Sequence, residues 1–307
     1  MSARAVTLWF FDAPNPRDIL HSPDLTTNVA RAQTVGSTIF GDRVLVPAVD
    51  TTLDVAAAAR DSHVYVGHYG SLAVVSCSLF ATTKPSTLTR TVSRICPAKA
   101  TTLLYIDPTE ATGVFAHWES GQLRRSFSAT PVTIHEDIGL PFVLERPFWS
   151  GERPLRYADG VAFEPMTLPF HPAELAEQAN REWLGFRFTH PLAPTDLDPA
   201  CIPVTGFAIH PADYEPGPAD TAAYRAATEA DRTARADAAR ARQTSAVPHP
   251  TDGETGDHTT GGHTPSGDEP ADQDTGDAGD TNRDDSADAP RPRKQRGRVA
   301  RYFGFGV

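Results

Sequence analysis

Between Arg125 and Gly151 the chain reads RSFSATPVTIHEDIGLPFVLERPFWSG, which brings a histidine, two acids and an aromatic run within about one strand-turn-strand. A histidine titrating near neutrality and oriented by a carboxylate is the usual acid–base pairing. His135, Glu136 and Asp137 are therefore the first catalytic candidates, with His171 downstream as a fourth. Successive strand residues point to alternate faces, so His135 and Asp137 can share a face while Glu136 opposes them. That geometry favours the plainer reading, a polar strand end running into a turn at Gly139.

Two further stretches, Pro147–Glu152 and Leu168–Pro172, are dense in aromatic residues and proline. Such turns lock loops onto a core, and they also build pockets. A groove lined by Trp149 and Phe170 with His171 at its rim is the candidate ligand site. Other chemistries lack their residues. Ser126 and Ser128 sit in no GxSxG elbow, and Gly67-His-Tyr-Gly70 is neither GxGxxG nor a Walker loop, so no nucleotide or other cofactor is expected. His63 with His68, and His258 with His263, have no cysteine partners at ligand spacing, and no metal site is expected. Cys77, Cys96 and Cys201 form no CxxC, and an odd count outside any disulfide framework points to a reducing cytosol.

The last seventeen residues differ in kind. Six cations, including Arg293, Lys294, Arg296, Arg298 and Arg301, lead into Tyr302, Phe303 and Phe305. This cationic-aromatic segment suits docking on a protein partner, attraction to an anionic surface such as lipid, or a nonspecific nucleic-acid arm; a solubilising tail is the bland alternative.

The elements that position these residues follow from periodicity. Val6 to Phe11 is a buried strand, and Val29, Ala32, Val35 and Ile39 mark a helix capped by Asp24 or Thr26 and closed at Gly41. Short strands follow at Arg43–Val49, His63–Val66, Leu72–Cys77 and Thr101–Ile106, with a helix from Ser86 to Cys96 between the last two. Gly113–Trp118 and Gln122–Ser128 flank Glu119-Ser-Gly-Gln as a β-hairpin. A helix opens at His171-Pro172, turns Leu175, Ala179, Trp183 and Leu184 inward and stops at Gly185; Phe186–Phe188 reads as an edge strand. Without strict βαβ alternation, the fold class is α+β, a single compact domain with a mixed, largely antiparallel sheet flanked by helices.

Apolar residues thin out past Thr189, so the globular domain is expected over 1–192, and about 190 residues suffice for a sizeable core. Residues 193–218 are rich in proline and read as an extended arm. Residues 219–245, alanine with arginines and acids, read as a solvated spacer helix. Residues 246–290 hold twelve acids to one arginine and read as a disordered acidic linker before the basic tail at 291–307. The folded part shows no basic stripe for a phosphate backbone. The apolar run that ends at Asp12 is too short for a leader or a membrane span.

Several motifs together resemble an actinobacterial family, the domain of unknown function 6928 family. They are His63-Val-Tyr-Val-Gly67, Phe115-Ala-His-Trp-Glu-Ser-Gly-Gln-Leu-Arg-Arg-Ser-Phe-Ser128, Glu136-Asp-Ile-Gly139 with Pro147-Phe-Trp-Ser-Gly-Glu152, and Leu168-Pro-Phe-His-Pro172 with Leu184-Gly-Phe186. The resemblance covers roughly residues 5–189 and implies a compact cytosolic α+β domain; it implies no activity. Where such proteins often carry a His-Ser…Asp-Trp pattern before the hairpin, this chain has Asp107-Pro-Thr-Glu-Ala-Thr112. The functional expectation is a non-enzymatic binding or adaptor protein with a globular head and a tethered tail. Its rivals are a hydrolase using His135 or His171 with Glu136, Asp137 or Glu152 near Trp149, and peripheral attachment to anionic membrane.

Overall fold

In the computed structural model, which describes residues 3–155 and 166–245, the apolar run Ala5–Phe11 becomes β1 with every residue buried. It is followed by α1 (Pro16–Leu20), α2 (Val29–Phe40), β2 (Val44–Thr52), α3 (Leu53–Ala58), β3 (Val64–Tyr69), β4 (Leu72–Ser76) and α4 (Thr89–Ile95). Then come β5 (Ala100–Asp107), β6 (Thr112–Glu119), β7 (Gln122–Ala129), β8 (Ile134–Ile138) and α5 (Arg146–Trp149). The described chain closes with α6 (Pro172–Leu184), β9 (Pro203–His210) and α7 (Pro218–Ser245). The nine strands make one sheet in the order β2-β9-β3-β4-β1-β5-β6-β7-β8, antiparallel at every described pairing. This is the α+β class the sequence predicts.

A central strand is buried on both faces because helices cover both. Val6, Leu8 and Phe10 of β1, with Leu103, Val114, Ala116 and Trp118, pack under Ala32 and Val35 of α2 and Val92 and Ile95 of α4. The opposite face carries Thr7, Trp9, Thr102, Phe115 and His117 and lies under α3 and α6. Gly113 permits that contact: a Cβ there would stand 2.2 Å from the Pro172 carbonyl carbon, so only glycine lets α6 start this close to β6.

Local chemistry explains the boundaries. The cap of α2 is Asn28, whose side chain accepts from the Arg31 amide, not Asp24 or Thr26, because the helix starts only at Val29. Ser120 and Gly121 both take positive φ, 48° and 77°, the left-handed pair that matches the twist of a two-residue hairpin. Phe186 and Phe188 are buried but form no strand; they wedge beside Trp9 and each other instead.

The proline-rich stretch after residue 192 corrects the sequence reading. Pro203 opens β9 and Pro211 follows its end, so Val204–His210 is free of proline and can donate along the ladder. The strand inserts between β2 and β3. Helix α7 forms where expected, yet it is more than a solvated spacer. The Asp50 amide donates to Thr228 Oγ1 at 2.9 Å, Tyr224 donates to Asp50 Oδ2 at 2.5 Å, and Thr51 donates to Asp231 at 3.0 Å. It is thereby tied to β2, the edge strand on that side, at Asp50 and Thr51, and occupies one of the edge amides that could otherwise template a foreign strand. Residues 1–240 make one compact unit; the acidic linker expected at 246–290 and the basic tail at 291–307 lie outside the described residues.

A chain ending at residue 192 lacks an interior strand and is predicted to show no cooperative thermal unfolding by circular dichroism. A chain ending at Ser245 is predicted to melt cooperatively within a few degrees of the full chain.

Candidate functional site

The first candidates are separated by the sheet they stand in. Glu136 accepts from the Ser86 amide at 3.0 Å and from the hydroxyls of Ser86 and Ser126 at 2.5 Å each. Asp137 turns to the other face and accepts from Arg125 at 2.5 Å. A bulge between Ser128 and Ala129 leaves His135 as the extra residue of β8, exposed to solvent. Glu136 therefore bridges β8 and β7 to the segment before α4, and Asp137 belongs to a buried ion cluster.

Arg125 is the centre of that cluster. Its side chain is fully buried, and its Nε and Nη2 donate to the two oxygens of the equally buried Glu145 at 2.9 and 2.8 Å. Nη1 serves Asp137 and the carbonyls of Ser126 and Ile138, while the plane lies 5.9 Å from the Phe115 ring and 5.7 Å from Phe127. Burial alone would lower the guanidinium pKa; the bonds and charges of Glu145 and Asp137 outweigh it and raise the pKa. Glu145 also accepts from the Phe142 amide at 2.8 Å and from Trp149 Nε1 at 3.3 Å.

The expected groove at Trp149 is filled by its own walls. Trp149 meets Phe170 edge to face at 4.8 Å and Phe127 at 5.8 Å, with Phe148 a further 5.6 Å from Phe170. Such T-shaped packing locks the loop. Trp149 and Phe170 are thus brought together, and both are buried.

His171 lies elsewhere, at the rim of a cleft of about 390 Å³ beside the start of α6. It is the N-cap, and its Nδ1 accepts from the Ala173 amide at 3.2 Å, which leaves the proton on Nε2. Burial lowers its pKa against the charge of Glu174. Glu174, Glu177 and Gln178 share the cleft, as does Thr189. Glu177 is only 5 % exposed; one oxygen accepts from the amides of Phe188 and Thr189 at 3.2 and 2.9 Å and from the Thr189 hydroxyl at 2.9 Å. Burial still raises its pKa over those bonds and over the charge of Arg187. Two arginines complete the wall: Arg187, tied to Pro191 O at 2.7 Å and 3.5 Å from Asp196, and Arg153, lying 5.1 Å over the Phe148 ring. Glu177, Arg187 and Arg153 escaped the sequence reading. The spacing of His171, Glu174, Glu177 and Gln178, a polar helical stripe opposite the apolar one, was the available signal.

The thiols of Cys77 and Cys96 are raised by burial, and that of Cys201 by burial and then Asp198, which disfavours the thiolate a nucleophile needs. Among the described residues no group of three His, Cys, Asp or Glu could hold a metal ion, and no helix is long and apolar enough to cross a membrane.

A family model described as "Family of unknown function (DUF6928)" matches residues 5–207. The chain belongs to this family. The DUF6928 match runs past the 5–189 carried by the motifs and ends inside β9, so the matched span takes in most of the inserted strand. The hairpin, the Arg125 cluster and the α6 cleft all fall within it. No curated protein and no solved structure matches the chain.

Glu177 sets a pH dependence. With its pKa raised, the folded chain keeps a proton that the unfolded chain releases, so its contribution makes stability fall as pH rises from the ordinary carboxylate value through its own. His117 and His171, lowered by burial, act oppositely: stability is lost as pH falls below the ordinary imidazole value. Urea unfolding of wild type and Glu177→Gln across this range is predicted to show the wild type losing ground to the variant as pH rises.

Proposed function

We propose that the protein is a non-enzymatic binding protein whose folded unit takes a small polar molecule bearing one anionic group in the α6 cleft. The observation that carries this reading is that Arg153, Arg187 and His171, the N-cap at the positive end of α6, line one cavity. Burial raises the pKa of Glu177, which weakens its competition with an anion for Arg153 and Arg187. The volume suits a small metabolite.

The rival hydrolase reading draws less support. Glu136 and Asp137 are engaged by Ser86, Ser126 and Arg125, and Glu152 accepts from Ser150 at 2.8 Å. In the same reading, the tail from Arg293 to Phe305 is a tethered element for a protein partner, with an anionic membrane surface as the alternative, and the protein works in the cytoplasm. Support for these comes from the charge segregation and cysteine usage of the sequence.

Thermal shift of the full chain against inorganic phosphate, acetate and succinate tests the cleft. At a hundredfold excess over Kd a binder stabilises by about 2.7 kcal/mol, and Arg187→Gln is predicted to abolish the shift. Absence of a shift with every anion, or its survival in the variant, refutes the assignment. Deletion of 291–307 is predicted to leave the anion response intact and remove bound partners; an unchanged partner set takes the tail out of the reading.

A further inference from the structure

The α6 cleft holds charges of both signs that do not meet one another. Its carboxylates come from one helix: Glu174 and Glu177 stand three residues apart on α6, a spacing that sets Cβ atoms about 5–6 Å apart on one face. Its guanidiniums come from chain outside that helix, Arg153 from beyond α5 and Arg187 from beyond Gly185. Arg153 reaches Gln178 Oε1 at 3.4 Å through Nη1. Arg187 uses Nη2 on Pro191 O and has Nε 3.5 Å from Asp196, so Nη1 is the donor left for a ligand. Among the described residues no ion pair joins either arginine to Glu174 or Glu177.

Glu177 carries the sharper signal. All three of its donors, the amides of Phe188 and Thr189 and the Thr189 hydroxyl, meet Oε1. Oε2 accepts from none of the described residues. It is also not among the sealed oxygens left without a partner, so it lies open to the cleft that its side chain lines. Burial raises the pKa of this carboxyl, and the charge of Arg187 is the weakest of the causes opposing the rise, so that cation does little to neutralise it. A carboxylate only 5 % exposed with one oxygen unmet is short of a cation. An ammonium answers both glutamates, because it carries three N–H donors and makes strong bonds to carboxylate oxygens. A metal ion suits the site less, since among the described residues no group of three His, Cys, Asp or Glu could hold one. Deepening the anion reading above and resting on it, we propose that the cleft takes an amino acid, its carboxylate on Arg153 and Arg187 and its ammonium on Glu177 Oε2 and Glu174. A volume of about 390 Å³ has room for a ligand of that size.

Isothermal titration of the full chain with glycine, β-alanine and 4-aminobutyrate against acetate, propionate and butyrate compares pairs that differ by the amine alone. At least one amino acid is expected to bind about tenfold tighter than its matched acid, the worth of a charged hydrogen bond. Glu177→Gln keeps an acceptor for the three donors and removes the charge; it is expected to bring that ratio towards one without weakening the matched acid. Glu174→Gln, at an exposed position, is expected to lower the ratio in part and has no buried bond to lose. Equal affinities within every pair, no binding by any of the three amino acids, or a ratio that survives in both variants overturns the inference. The anion reading falls separately, only if phosphate, acetate and succinate also fail to bind.

Discussion

A guanidinium sealed from water must be neutralised where it stands, because an uncompensated buried charge costs several kcal/mol. Arg125 imposes that condition on everything around it. Glu145 has to meet it as a two-point carboxylate, which fixes the 143–149 segment against β7. Asp137 has to meet it from β8, and the Ile138 carbonyl has to turn towards the same group. Trp149 follows by its bond to Glu145, and Phe170 and Phe127 follow Trp149. The residues that look most like a catalytic set are thus the ones that hold the end of the sheet together.

This explains what could and could not be seen from residue order. Period-two and helical patterns locate β1, the β6–β7 hairpin and α6, since each depends on local burial and on turn residues such as Ser120, Gly121 and Gly185. The α+β class follows from their sequence of types. The insertion of β9 is invisible locally, because its strand character comes from pairing with β2 and β3, more than 130 residues away, while the prolines flanking it read as loop. Helix α7 shows the same gap: its alanines announce a helix, and only the bonds of Tyr224 and Thr228 to Asp50 reveal where it is tied.

The site was legible in part. His171 and its helix start could be read, but the pairing of Glu177 with Thr189, and the approach of Arg153 and Arg187, are tertiary facts. Polar burial in this fold thus has two fates. At Arg125 it is fully matched by protein groups and serves rigidity; at the α6 cleft charged groups line an open volume.

The central claim is that Arg125 and its carboxylates are structural. Equilibrium urea unfolding of Glu145→Ala tests it most directly. Loss of one partner from a buried ion pair should cost about 3–5 kcal/mol, and a loss below about 1 kcal/mol would contradict the claim.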